Sequence, residues 1–204
     1  MTRFVLATTN AHKAREIAEV MAAAGYVAQL EPRPGHVPEV DETGMTFEDN
    51  ARLKAIAVSR ATGMPAVADD SGLEVAALGG APGVRSARYA GEHASDRDNL
   101  EKLLQQLAGV PDERRGARFA CVAVARFPDG REVAAFGSVD GRIVDEPRGR
   151  EGFGYDPVFV PDEGDGRTFA EMGASEKNDL SHRGRAFRTL ADGLRMVEAL
   201  EDES

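Results

Sequence analysis

Asp69 and Asp70 stand side by side at the end of the apolar run Pro65-Ala66-Val67-Ala68, ahead of Ser71-Gly72 and an apolar restart at Leu73. Neighbouring carboxylates repel and raise one another's proton affinity, so such a pair serves a metal, a proton transfer or a fully solvated turn. Further donors are at hand in Glu39, Asp41 and Glu42, hard oxygen groups of the kind Mg2+ accepts one or two at a time, and no His/Cys cluster competes for a transition metal. A solvated acidic loop is the alternative for Glu39 to Glu42, and a turn in which one Asp accepts backbone bonds is the alternative for the pair. Alternation along a strand would send the two Asp side chains to opposite faces unless the turn begins at Asp70.

A second concentration of chemistry is Thr8-Thr9-Asn10-Ala11-His12-Lys13, which joins a short apolar strand to a helix start. Backbone N–H groups, hydroxyls, an amide and an ammonium converge there, a combination that suits phosphate. The turn matches neither the P-loop nor the dinucleotide glycine pattern, and an N-cap by Thr9 or Asn10 with Lys13 in solvent competes with the phosphate reading. Phe153-Gly154-Tyr155-Asp156 offers two rings for a base to stack on, or two buried rings at the entry to a strand. Lys177 and Ser181-His182-Arg183 gather ammonium, imidazole and guanidinium near a helix start, where an anion would relieve the crowding; Ser181 as a simple N-cap is the alternative. Ser181 and His182 do not form a serine-hydrolase pair, because adjacent residues at a helix start do not face each other and no G-x-S-x-G elbow exists.

The elements that must position these groups follow from periodicity. Phe4 to Ala7 reads as a strand, and the spacing of Ile17, Val20 and Met21 as a helix. An extended piece near Tyr26 to Leu30 leads into a loop broken by Pro32, Pro34 and Pro38. Thr46, with Asp49 three residues on, caps a helix that continues from Ala51 to Ala61. Pro65 to Ala68 and Leu73 to Val75 read as two short strands, and Asp96 to Leu107 as a helix with Leu100, Leu103, Leu104 and Leu107 on one face. Ala117 to Phe127 and Glu132 to Val144 flank Pro128-Asp129-Gly130 as a hairpin, and Pro157 to Val160 forms a short strand. A last helix runs from Ser181 or His182 to about Glu201 and buries Phe187, Leu190, Leu194, Val197 and Leu200. Alternating helices and strands followed by a long hairpin predict an α/β fold: a mixed central sheet with flanking helices in two lobes.

The 204 residues suffice for a good-sized core, and the lone Cys121, within an apolar stretch, is a buried inert thiol and not part of a disulfide framework. With 35 acidic against 25 basic residues, the net charge of −10 works against binding a long polyanion such as DNA or RNA, while leaving small phosphorylated metabolites open. No run approaches the roughly 18 apolar residues of a membrane span, and Met1-Thr2-Arg3 leads straight into a strand, so a cytoplasmic protein without membrane partners is expected.

The order of the motifs narrows these alternatives. Leu6 to Lys13 is followed by Thr46-Phe47-Glu48-Asp49-Asn50-Ala51-Arg52-Leu53-Lys54-Ala55 and Ala68-Asp69-Asp70-Ser71-Gly72-Leu73. Then come Leu78-Gly79-Gly80-Ala81-Pro82-Gly83-Val84, Ser86-Ala87-Arg88-Tyr89, Gly152 to Pro157, and Glu176-Lys177-Asn178 through Ser181-His182-Arg183-Gly184. Over nearly the whole chain this resembles the inosine triphosphate pyrophosphatase family, which hydrolyses non-standard purine nucleoside triphosphates. The resemblance implies a single catalytic domain over 1–204, with the active site in a cleft between two lobes. It also implies a homodimer and a Mg2+-dependent cut of ITP, dITP or XTP into monophosphate and pyrophosphate. Carried over by position, Thr8, Thr9, Asn10, Ala11, His12, Lys13 and Lys54 would hold the triphosphate, Glu42 and Asp70 the metal, and Asp70 would be the general base. Ser71, Phe153, Gly154, Tyr155, Asp156, Lys177, His182 and Arg183 would complete the substrate site, with Phe153 stacking on the base. Thr9 and His12 depart from the Gly or Asn and the Gly of many relatives.

These assignments are physically coherent. Mg2+ with Lys13, Lys54 and Lys177 would neutralise a triphosphate, and a carboxylate near the metal can deprotonate a water for in-line attack. Donors such as Arg183, His182 or backbone N–H would favour the 6-oxo acceptor of inosine and xanthine over the 6-amino donor of adenine. The rival enzyme reading is a pyrophosphatase of the related septum-inhibitor type acting on pyrimidine or modified nucleotides. From another class, the rival is a nucleotide-binding sensor without catalysis.

Overall fold

Alternation in Phe4-Val5-Leu6 decides how the layers stack. The computed structural model describes residues 2–202. In it, β1 (Arg3–Leu6), α1 (Ala11–Ala23), β2 (Gln29–Glu31), α2 (Phe47–Thr62), β3 (Ala66–Val75) and α3 (Asp96–Gln106) come first. They are followed by β4 (Gly116–Arg126), β5 (Glu132–Ile143), β6 (Phe159–Pro161), α4 (Ala174–Leu180) and α5 (His182–Asp202). The strands form one mixed sheet of six in the order β2-β1-β3-β4-β5-β6. β1 runs parallel to β2, with Phe4 opposite Leu30, and parallel to β3, with Val5 opposite Ala66 and Leu6 opposite Val67. β6 is antiparallel to β5, with Arg142 opposite Val160. The expected α/β class with a mixed sheet and flanking helices is what forms.

Two compact units divide the chain. One takes the chain up to Asp70, Cys121–Gly137 and everything from Arg183 on; the other takes Ser71–Ala120 and Ser138–His182. In the first unit Phe4, Leu6 and Val67 pack with Ile17, Val20 and Met21 of α1 and with Phe187, Leu190 and Leu194 of α5. Val5 and Ala66 face the other way, onto Val58 of α2 and Val37 of the proline-rich loop. Period-two alternation in the strands thus gives this unit helices on both sheet faces. Cys121 is buried in the same core as α1 and α5, and burial, with Asp69 adding to it, pushes its thiol up to about 12, so it is inert as expected. The second unit buries Leu73 and Val75 against Leu100, Leu103 and Leu107, together with Phe119, Ile143, Phe159 and Phe169. α3 starts at a reciprocal capping box between Ser95 and Asp98.

Local signals located most elements. Thr46 Oγ1 accepts the Asp49 N–H at 3.1 Å to start α2, and the β4–β5 connection closes through Phe127 N–H to Arg131 O at 2.9 Å. Three expectations give way, and one element had no signal. The two short strands predicted around Ser71-Gly72 are one continuous ten-residue strand, β3; β4 flanks it in the sheet, and past the reach of β1 the Leu73 N–H is accepted by Ser86 Oγ at 2.9 Å, which together outweigh turn propensity. Asp156–Val158 is a 3₁₀ turn, so β6 begins only at Phe159, because Pro157 has no N–H to offer a ladder. The seven-residue α4 was not foreseen from periodicity, being too short to show any. Leu200 is 66 % exposed and Val197 only half-buried, since the amphipathic pattern of α5 runs beyond Leu194, the last residue of the helix in the core. Urea unfolding should register that boundary: Phe187→Ala, at a fully buried position, is expected to cost about 3–5 kcal/mol. Leu200→Ala is expected to stay within about 0.5 kcal/mol of the parent.

Candidate active site

Because β3 is continuous through Asp69-Asp70, successive side chains leave it on opposite faces. Asp69 shares the parity of Val67 and meets α1 and α5: Lys13 Nζ lies 3.2 Å from Asp69 Oδ2, and the Arg183 guanidinium donates to the same oxygen at 3.4 Å. Arg183 also donates through Nη1 to Glu16 at 2.5 Å. Asp70 shares the parity of Ala66 and meets α2. Asn50 Nδ2 donates to Asp70 Oδ2 at 3.0 Å, and Lys54 Nζ lies 3.5 Å from Asp70 Oδ1 and 2.6 Å from Glu42 Oε1. Both carboxylates are buried, at 2 % and 5 % exposure, yet their environments differ. Burial by itself would raise Asp69, but Lys13, Arg183 and Lys54 overcome it and hold the carboxyl far below its usual range. Burial pushes Asp70 up; Lys54 opposes this and Glu42 reinforces it, leaving the carboxyl above its ordinary value. Burial works against the Lys54 charge, and the carboxylates of Asp70, Asp69 and Glu42 more than restore it.

The turn before α1 combines both readings of its sequence. Asn10 is the N-cap: its Oδ1 accepts the His12 and Lys13 N–H groups at 2.9 and 3.2 Å, while its own N–H donates to Thr8 Oγ1 at 3.1 Å. Lys13, however, is turned onto Asp69 and not into solvent. Thr9, Asn10, Ala11 and His12 are exposed. In the acidic loop Glu39 and Asp41 are exposed, as a solvated run would be, and Glu42 alone is drawn onto Lys54.

The second unit assembles its own set. Asp156 Oδ2 accepts the Phe153 N–H at 2.8 Å and the Lys177 ammonium at 2.6 Å. Lys177 Nζ also stands 4.9 Å from the Phe153 ring centroid, a cation–π arrangement. The Tyr155 hydroxyl donates to Ser86 O at 2.9 Å. His182 is buried with its ring stacked on Phe119 at 4.6 Å and 6°. Ser71 is a half-buried residue of β3.

Sequence reasoning assigned no role to Asn50 or Glu16. Asn50 is fully buried and joins two structures at once, since its Oδ1 also accepts the Gly44 N–H at 2.8 Å. A Cβ on Gly44 would come within 2.6 Å of that oxygen, so glycine is required there. A signal existed in that Asn50 lies on the apolar face of α2 with Phe47, Ala51 and Ala55, where an unpaired amide would be costly. Glu42 and Asp70 reach one common cation, Lys54, so two hard oxygen donors converge on one position, and this donor set fits Mg2+.

An α/β sheet protein whose buried carboxylates and lysines meet beside a helix N-terminus belongs to the class built to handle small phosphorylated ligands. The Ham1 family model matches residues 4–193, and the chain belongs to this family. A Streptomyces avermitilis protein named dITP/XTP pyrophosphatase is 52% identical over 197 residues, covering 96% of this chain and 98% of that protein. A Shigella flexneri protein of the same name is 50% identical over 198 residues, covering 96% and 99%. Among solved structures, a HAM1 protein from Coxiella burnetii matches with a TM-score of 0.86 at 41% identity, over 96% of this chain and 100% of that one. A nucleoside-triphosphatase / dITP/XTP pyrophosphatase from Mycobacterium abscessus matches with a TM-score of 0.73 at 44% identity, again over 96% and 100%.

The unlike environments of the two carboxylates are separable by mutation. Asp69→Asn leaves Lys13 and Arg183 without their shared counter-charge and is expected to cost about 3–5 kcal/mol in urea unfolding. Asp70→Asn removes a charge that burial already disfavours and is expected to stay within about 1 kcal/mol of the parent, or to stabilise.

Proposed function

We propose that this chain hydrolyses ITP, dITP and XTP to the nucleoside monophosphate and pyrophosphate, clearing non-standard purines from the nucleotide pool. The observation that carries the reading is the Asp70 carboxylate: buried, raised in proton affinity, steadied by Asn50 and flanked by Lys54 and Glu42. It lies in a chain that matches proteins named dITP/XTP pyrophosphatase along almost all its length. Asp70 is the base of the pair in this reading because Lys13 and Arg183 already occupy Asp69, whereas Asp70 is steadied by Asn50 beside Lys54 and Glu42.

In this reading Asp70 takes the proton of a water as the water oxygen bonds to phosphorus, and the bond to the pyrophosphate oxygen breaks in line. Glu42 and Asp70 would hold Mg2+, which supplies positive charge to the phosphate oxygens. Lys13 and Lys54 neutralise the charge growing on the leaving pyrophosphate, and the turn Thr8, Thr9, Asn10, Ala11 and His12 supplies hydroxyls and N–H donors. Phe153 stacks on the base, with Gly154, Tyr155, Asp156 and Lys177 shaping that turn, and Ser71, His182 and Arg183 completing the substrate contacts. A base with a 6-oxo acceptor satisfies a site of donors; adenine would set donor against donor.

Residues 1–204 act as one catalytic domain. The family resemblance extends the proposal to a homodimer in the cytoplasm, and among the described residues no helix is long and apolar enough to cross a membrane.

Pyrophosphate release over a panel of ITP, XTP, dITP, ATP and GTP is the direct test. ITP and XTP are expected to exceed ATP by orders of magnitude, up to roughly 10⁴-fold; equal rates on the common nucleotides would sink the specificity claim. Turnover should vanish on chelation of divalent metal. Asp70→Asn should lower kcat by roughly 10²- to 10⁴-fold while ITP binding by calorimetry survives, and a parental kcat would move the base elsewhere.

A further inference from the structure

The turn from Phe153 to Asp156 is tethered by a residue the proposed chemistry does not use. Asp96, the first residue of α3, accepts the Gly154 N–H on Oδ2 at 2.9 Å. The other fixed points of the turn lie on either side of Gly154: Phe153 N–H and Lys177 on Asp156, the Asp156 N–H on Phe153 O at 3.2 Å, Lys177 over the Phe153 ring, and the Tyr155 hydroxyl on Ser86 O; none of them takes the Gly154 N–H. Gly154 itself sits at φ +62°, in the left-handed region, where the absence of a side chain makes it the most easily deformed joint of the four. Packing does not hold it, because Asp96, Leu100, Leu104, Gly152, Phe153 and Gly154 border a cavity of about 610 Å³. The helix does not need Asp96 either, since Ser95 and Asp98 cap it reciprocally.

We propose that Asp96 is a positioning residue: its carboxylate holds Gly154, and through it the Phe153 ring, in the arrangement that receives the base, so that it sets affinity and base selectivity and not the rate of bond cleavage. This inference rests on the function proposed above. Without the acceptor the Gly154 N–H turns to water and the ring presents its face only part of the time. Apparent affinity then falls by that fraction, while a nucleotide once seated reacts as before.

Steady-state kinetics with ITP and ATP, on the full-length protein with Mg2+, tests it. Asp96→Ala is expected to raise KM for ITP roughly tenfold, to leave kcat within about twofold, and to reduce the preference for ITP over ATP. Asp96→Asn keeps an oxygen acceptor and should return KM to within about threefold of the parent. Inhibition by inorganic triphosphate, which has no base, should be the same in all three proteins, as should the urea midpoint. A fall in kcat with KM unchanged, or weakened triphosphate inhibition in Asp96→Ala, overturns the assignment. A parent that leaves ITP intact overturns the functional reading and this inference with it, whereas an active parent with an unchanged Asp96→Ala overturns this inference alone.

Discussion

Two consecutive carboxylates in a buried strand point to opposite faces of the sheet and need direct partners on each, and most of the first unit is arranged around that constraint. Alternation along β3 sends Asp69 and Asp70 to opposite faces, so compensation must arrive from both sides of the sheet. An uncompensated buried charge costs several kcal/mol, comparable to the whole stability of a domain. Lys13 of α1 and Arg183 of α5 meet the demand on one face, and Asn50 and Lys54 of α2 on the other. The helices that cover the sheet therefore carry the same cations that the buried acids require.

This arrangement makes unlike groups from like residues. Asp69 is faced by Lys13 and by Arg183, which Glu16 also engages, and is locked in its ionised form; Asp70 shares Lys54 with Glu42 and keeps a raised affinity for protons. One residue becomes a fixed negative charge that orders Lys13 and Arg183, and the other becomes a group able to exchange a proton. Asn50 and Gly44 belong to the same device, because the amide that steadies Asp70 also ties down the loop beyond Glu42.

What could be read from the chain itself was local. The strand, turn and helix through Lys13, the Thr46 cap and the hairpin at Pro128-Asp129-Gly130 each depend on residues a few positions apart, and each formed where its signal lay. The continuity of β3 was hidden because Ser71-Gly72 is a turn signal that is overridden by partners far along the chain, β4 and the Ser86 hydroxyl. The roles of Asn50 and Glu16 were hidden by distance: their partners lie 20 and 167 residues away in the chain. The same distance concealed which Asp would be held ionised, since Arg183 reaches Asp69 across 114 residues. Ordered motifs pointed to the family, while side-chain electrostatics had to be seen folded.

The first unit is also sewn from segments far apart in the chain. Phe4 and Leu6 of β1 share a core with Phe187, Leu190 and Leu194 of α5, and Glu198 receives hydroxyls from Thr2 and Tyr26, 196 and 172 residues earlier. During synthesis β1 must therefore wait, with its apolar face uncovered, until α5 has been made. Contacts of such long sequence separation slow folding and prolong the aggregation-prone interval. The second unit draws its residues from the middle of the chain, between Ser71 and His182, and its core can close before α5 exists. The paired carboxylates acquire their full set of cations only when Arg183 has been made.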